Sequence, residues 1–162
     1  MDYSWIMRIF QANSPSEVQE AQNLFREYEA GLGISLCFQN FEQELANLPG
    51  DYQPPDGRLL LCELNNAVGG CIALRKLDQG ICEMKRLYVR PEFRGKGLGK
   101  ALVLTIIHEA AQLGYERMRL DTLPGRMDGA IALYRALGFK EIEPYYQNPA
   151  PETLYMELAL AW

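Results

Sequence analysis

The chain has 162 residues, 48% of them hydrophobic and 23% charged, with a net charge of −5. That length suggests one domain, residues 1–162, able to bury roughly 68–70% of the surface its unfolded form exposes. An acidic chain with one histidine and four cysteines, none spaced C-x-x-C, argues against a basic nucleic-acid-binding domain and against a Cys/His zinc site.

The charge is uneven. Residues 1–63 carry ten acids against Arg8, Arg26 and Arg58, a balance of −7, and the remainder balances at +2. Six bases (Lys85, Arg86, Arg90, Arg94, Lys96, Lys100) crowd the stretch from Glu83 to Lys100. A small anionic ligand fits that patch, while the acidic N-terminal third favours a cationic second ligand. Three of the cysteines (Cys37, Cys62, Cys71, Cys82) lie in apolar strand-like runs, where a thiol acts as a small hydrophobe. A reduced, cytoplasmic protein is expected. No apolar run approaches the roughly 20 residues of a membrane span, and "MDYSWIMRIF" lacks a signal-peptide pattern.

In chain order, residues 5–11 suit a first strand. "NSPSEVQEAQNLFREYEAGLG" reads as a helix with Ser14 as N-cap, Pro15 at its first position and Glu17 completing a capping box. Val18, Ala21, Leu24, Phe25 and Tyr28 supply its apolar stripe. A shorter helix, roughly 40–47, and the turn-rich loop "LPGDYQPPDG" follow. "RLLLCELNNAVGGCIALRKLDQGICEMKRLYV" reads as three strands, folded back at Asn65-Asn66 and again at Asp78-Gln79-Gly80. "GLGKALVLTIIHEAAQLG" is a helix closed by Gly114, "YERMRLDTL" a strand, and "MDGAIALYRALG" a helix closed by Gly138. "FKEIEPYY" and "TLYMELAL" are two final strands. The order β-α-α-β-β-β-α-β-α-β-β predicts a mixed α/β fold, antiparallel at first, with a strand–helix–strand crossover in the middle.

"FRGKGLGKAL" (93–102) opens a helix with three glycines ringed by Arg94, Lys96 and Lys100. The first N–H groups of a helix lack internal partners and carry partial positive charge, so such a start is an anion site. Gly95, Gly97 and Gly99 give up helix propensity so that phosphate oxygens can approach the backbone. The spacing is neither G-x-x-x-x-G-K-[ST] nor G-x-G-x-x-G, which excludes the P-loop and the dinucleotide fingerprint. What holds is Arg94-x-x-Gly97-x-Gly99 after the strand "EMKRLYV" and Pro91.

With that motif the sequence resembles the GCN5-related N-acetyltransferase (GNAT) family, whose acetyl-CoA signature is [RQ]-x-x-G-x-[GA] between its fourth strand and third helix. "RLDTL" resembles the family's fifth strand, and "AIALYRALGF" (130–139) its second signature. The element order matches the family fold over essentially the whole chain. The "DTLP" stretch (121–124) is similar to a subgroup of the family.

The resemblance implies an N-acetyltransferase with acetyl-CoA as cosubstrate and no metal. It implies that the pyrophosphate rests on the amides of Arg94, Gly95, Lys96, Gly97, Leu98, Gly99 and Lys100. A bulged fourth strand, splayed from the fifth, would pair pantetheine with the backbone of Leu87, Tyr88 and Val89. The acetyl carbonyl would lie against one of those amides, as in an oxyanion hole. Tyr134 matches the family tyrosine that protonates the departing thiolate, the ordinary reading being a core-facing helix residue. Glu83 stands where the lysine-modifying branch places its base, and burial is expected to raise its pKa. The alternatives are ordered water as the base and a Glu83 that only pairs with Lys85, Arg86 or Arg119. Glu63 is a weaker rival, and His108 in mid-helix is a bystander. Where many members carry a CoA-touching asparagine, this chain has Met127.

The resemblance leaves the acceptor to roughly residues 13–56 and 144–153. There Glu27, Tyr28, Glu29, Phe38, Phe41, Tyr52, Tyr145 and Tyr146 could hold a cationic small-molecule or peptide amine. A homodimer is plausible; nucleic acid and membrane are not expected partners. The competing reading is a module of the same fold that holds CoA without turnover.

Overall fold

In the computed structural model, residues 6–33, 36, 40–148 and 150–160 are described. They form strands β1 (Met7–Gln11), β2 (Arg58–Leu64), β3 (Ala67–Asp78), β4 (Ile81–Val89), β5 (Arg117–Thr122), β6 (Lys140–Ile142) and β7 (Leu154–Ala159). The helices are α1 (Pro15–Leu32), α2 (Phe41–Ala46), α3 (Leu98–Gln112) and α4 (Asp128–Ala136). The mixed α/β order read from the sequence holds element by element. Cys37 and Phe38 lie outside the described residues.

All seven strands join one sheet in the order β1-β2-β3-β4-β5-β7-β6. The first four pair antiparallel. Asn65 and Asn66 both adopt left-handed φ, at 52° and 69°, as a two-residue hairpin turn requires. The crossover through α3 makes β4 and β5 parallel. The chain then returns so that β7 sits between β5 and β6.

The start of α1 follows its sequence signals. The Ser14 hydroxyl accepts from the Glu17 amide, and Glu17 accepts from the Ser14 amide in return. The buried stripe Ala21, Leu24 and Phe25 packs α1 on one face of the sheet with Leu59, Leu61, Cys71 and Ala73. On the other face, Leu98, Leu102, Val103 and Ile106 of α3 meet Ile72, Leu74, Cys82, Met84 and Met118. Alternation along the strands thus feeds two apolar layers. Cys62, Cys71 and Cys82 are buried free thiols, and burial lifts the Cys62 thiol to about 11 and that of Cys82 to about 12.

One predicted strand is shorter than its pattern. "FKEIEPYY" gives a ladder over Lys140–Ile142 alone. Pro144 has no N–H to continue it. Tyr145 and Tyr146 instead fold onto the sheet and stack edge-on with Tyr155, at centroid distances of 5.3 and 5.4 Å.

The uneven charge also finds a structural account. Glu20 and Glu27 of α1 hold Arg90 at 2.7 and 2.9 Å. Glu44 of α2 holds Arg86 at 2.8 Å, and Glu63 holds Arg8 at 3.1 Å. Three acids of the first third, Glu20, Glu27 and Glu44, thus tie α1 and α2 to β4 and the residue that follows it.

Candidate functional site

β4 changes character halfway along. Ile81, Cys82 and Glu83 pair with Arg117, Met118 and Arg119 of β5. Beyond them the parallel ladder ends, while pairing with β3 continues to Val89. The register against β3 slips between Cys71 and Ala73, where three steps of β4 face two of β3. Arg86 sits in that bulge with φ of 62°, a left-handed backbone that a branched or long side chain rarely adopts. The Arg86 guanidinium is locked by Glu44 through Nε at 2.9 Å and Nη2 at 2.8 Å, and lies over the Phe41 ring at 5.2 Å.

Two hollows occupy the resulting gap. The outer one is a groove of ≈ 480 Å³ whose walls include Leu87, Tyr88, Val89, Arg94, Gly99, Gly129 and Ala130. The inner one, ≈ 40 Å³, is lined by Lys85, Arg86, Asp121, Thr122 and Tyr134, among others. Tyr28, Leu32, Leu87 and Met127 line both, so the two adjoin. The inner cavity breaches the sheet, for Met84, Leu120 and Tyr134 belong to the α3-side layer while Tyr28, Leu36 and Leu123 belong to the α1-side layer.

The glycine turn sits at the mouth of the groove. Gly95 and Gly97 have φ of 77° and 87°, and a Cβ on either would meet nothing within 4 Å. Gly97 caps α3 with no side-chain acceptor for the first amides. Those donors lie at the positive end of a helix of 15 residues. Leu98 is a core residue through its side chain and can offer only backbone. Arg94 turns back to donate to the Val89 carbonyl at 3.1 Å, fastening the turn to β4. Gly69 makes room for this corner: a Cβ there would lie 2.5 Å from the Phe93 ring.

Tyr134 is 3% exposed and packs against Phe139 at 5.6 Å. Burial, reinforced by Tyr28 and Asp121, pushes its phenol well above the ordinary value, so it stays protonated at neutral pH. Glu83 is 1% exposed, but it lines neither hollow. It accepts from Tyr145 at 2.6 Å and from Arg75 at 2.8 Å, with Lys85 at 3.9 Å. Burial alone would raise its pKa as expected from the sequence. The fields of Lys85 and Arg75 and the bonds from Tyr145 and Arg75 outweigh it, and the net shift is downward. That expectation is corrected: Glu83 is an anchored anion. Arg119 pairs with Glu157 instead, and Glu63 with Arg8. His108 is exposed on α3.

Of the acceptor candidates, Tyr28 lines the inner cavity, its phenol raised to about 12, chiefly by burial. Glu27 is taken up by Arg90 and Glu29 by the Leu36 amide at 2.9 Å. Phe41 and Tyr52 are core, Tyr145 bonds Glu83 and Tyr146 bonds Asp121. Sequence reading missed Lys85, Asp121, Thr122 and Asn148 as cavity walls. Met127 proves to be a wall shared by both hollows. The available signal for Asp121 was its place two residues beyond Arg119, the last residue of β5 paired with β4.

No group of three or more His, Cys, Asp or Glu side chains that could hold a metal occurs among the described residues, and no described helix is long and apolar enough to cross a membrane. The family model described as the acetyltransferase (GNAT) family matches residues 16–139. An uncharacterised N-acetyltransferase of Schizosaccharomyces pombe is 44% identical over 149 residues, 91% of each chain. One from Dictyostelium discoideum is 31% identical, over 89% of this chain and 95% of its own. Among solved structures, a GNAT-family acetyltransferase from Staphylococcus aureus superposes with a TM-score of 0.80 at 20% identity, covering 96% of this chain and 100% of its own. A Salmonella typhimurium protein solved with its cofactor acetyl-CoA superposes at 0.67 and 22% identity, over 96% and 94%.

Proposed function

The chain belongs to the acetyltransferase (GNAT) family, and from that premise we propose that it moves an acetyl group from acetyl-CoA to a primary amine by direct attack within a ternary complex. The observation that carries this reading is the parting of β4 from β5. It leaves the β5-side edge of the segment Leu87–Val89, with the amides of Leu87 and Val89, open to a groove that runs to the glycine turn. An extended pantetheine chain can add to β4 there as a further strand. The pyrophosphate then meets the amides of residues 94–100, with Lys96 and Lys100 adding charge.

The thioester end reaches the junction of groove and cavity, where a β4 amide polarises the acetyl carbonyl. The acceptor nitrogen, freed of its ammonium proton, attacks the carbonyl carbon from the cavity side. A tetrahedral intermediate forms, its nitrogen gives up a second proton to cavity water, and it collapses: the C–S bond breaks and the sulfur takes the electron pair. Tyr134 supplies a proton to that thiolate. A phenol kept protonated by burial is the form that this step needs. An alkyl ammonium near 10.4 must lose its proton first. Glu83, drawn into three contacts, suits anchoring of Arg75, Lys85 and Tyr145 better than proton removal, which falls to cavity water and to the groups facing it. The buried free thiols accord with a reducing, cytoplasmic setting.

Thiol release from acetyl-CoA, followed over a panel of primary amines, tests this. Tyr134→Phe is expected to lower kcat at least about a hundredfold while CoA affinity stays within about threefold. Release that is unchanged in Tyr134→Phe would remove the tyrosine from the mechanism. CoA binding without release for any amine would replace the enzyme by a CoA-holding module.

A further inference from the structure

The inner cavity says something about the acceptor beyond its amine. Successive residues of a regular strand point to opposite faces. The bulge at Arg86 breaks that alternation, so Lys85 and Arg86 both line the same hollow. Their side chains are 8% and 2% exposed. Across the gap, Asp121 lines it from β5 and accepts from the Tyr146 hydroxyl. Thr122, beside it, carries a fully buried hydroxyl oxygen with no hydrogen-bond partner, although such groups are normally satisfied. Asn148 and Thr153 complete the polar lining.

Two features limit what fits. The volume of ≈ 40 Å³ corresponds to about three water molecules, which excludes a bulky head group. The charges that line it, taken with their ion-pair partners, already cancel: Lys85 and Arg86, with Arg75 behind them, stand against Asp121 in the wall and Glu83 and Glu44 outside it. A polyamine would bury a second ammonium beside Lys85 and Arg86, at a cost that rises as the dielectric falls. A ligand whose own charges cancel leaves the balance intact.

We propose that the acceptor is a small zwitterionic amino acid, with its carboxylate toward Lys85 and Arg86 and its amine toward Asp121. This rests on the acetyltransferase reading and narrows the expected cationic amine acceptor to one that also carries a carboxylate. The amine, once its proton has passed to Asp121 or to water beside it, is the nucleophile of the step described above; the acid function is a spectator.

The test pairs acceptors that differ only in the acid group: L-alanine with L-alaninamide, β-alanine with propylamine, and putrescine as the dication. Thiol release should show kcat/KM at least about tenfold higher for each carboxylate member than for its partner, and lowest for putrescine. Lys85→Met should shrink that ratio to below about threefold without changing CoA affinity, because Lys85 lies outside the groove. Asp121→Asn should lower kcat/KM at least about tenfold for every amine while CoA affinity stays within about threefold, a split that a merely structural loss would not give. A protein that binds CoA but prefers the amides or putrescine, or that acetylates none of the five, overturns the proposal while leaving the cofactor site standing. Failure to bind CoA would instead remove the acetyltransferase reading on which it rests.

Discussion

The two halves of β4 share a strand and differ in everything that matters for function. Ile81–Glu83 is laddered on both sides, and its one charge, Glu83, is neutralised by neighbours. Leu87–Val89 is laddered on one side only, and its free edge faces a groove. An unpaired edge is normally a liability that proteins cover or blunt. Here a cofactor can cover it. The site therefore comes from interrupting the sheet, and the cost is carried by Arg86, the residue that turns one half into the other.

That contrast is most easily broken at the join. Arg86→Met leaves Glu44 without its buried partner, and loss of one member of such a pair typically costs about 3–5 kcal/mol. Urea unfolding should show a loss of this size. A loss below about 1 kcal/mol would mean that the bulge needs no ionic clamp.

The paired half is probed by Glu83→Gln, expected to cost about 1–3 kcal/mol near neutrality. Because the folded-state pKa of Glu83 lies below its ordinary 4.5, its stabilisation is present above that value and is lost as pH falls through the lower folded one. The difference between wild type and variant, followed by unfolding from pH 7 to pH 3, should narrow below about 4.5. A difference constant with pH would contradict the anchored anion.

At the open half, Gly97→Ala places a Cβ at φ of 87°, a strain of about 1–2 kcal/mol. It should weaken CoA binding about tenfold in calorimetry, with little effect on the apparent KM for the amine. The smallest effect belongs far from both halves. Ser14→Ala removes a helix cap, about 1 kcal/mol, and should lower Tm slightly while leaving kcat and both KM values alone.

What could be read from the sequence followed from local signals. Ser14-Pro15 with Glu17, Asn65-Asn66 and the glycine turn each announce a backbone conformation within four residues. Tyr134 came with a contiguous motif. The inner cavity was not legible because its walls meet only through tertiary structure. The bulge puts a left-handed backbone on an arginine, a residue type that gives no such hint. Lys85 reads as an ordinary strand residue until that bulge turns its neighbour to the same side. The same gap explains Glu83: its position was read, but Tyr145 lies 62 residues away, and that hydrogen bond helps reverse the pKa shift burial alone implies. Tyr145 itself was read as strand, and Pro144 with the tyrosine cluster took it out of the ladder.

The central claim is that a ligand strand completes the unpaired half of β4. Amide hydrogen exchange, followed residue by residue with and without acetyl-CoA, addresses it directly. The account predicts strong new protection at Leu87 and Val89 and across 95–100, with Tyr88, which faces β3, and Ile81–Glu83 slow to exchange in both states. Tight binding of acetyl-CoA that leaves the amides of Leu87 and Val89 as exchangeable as before would contradict it.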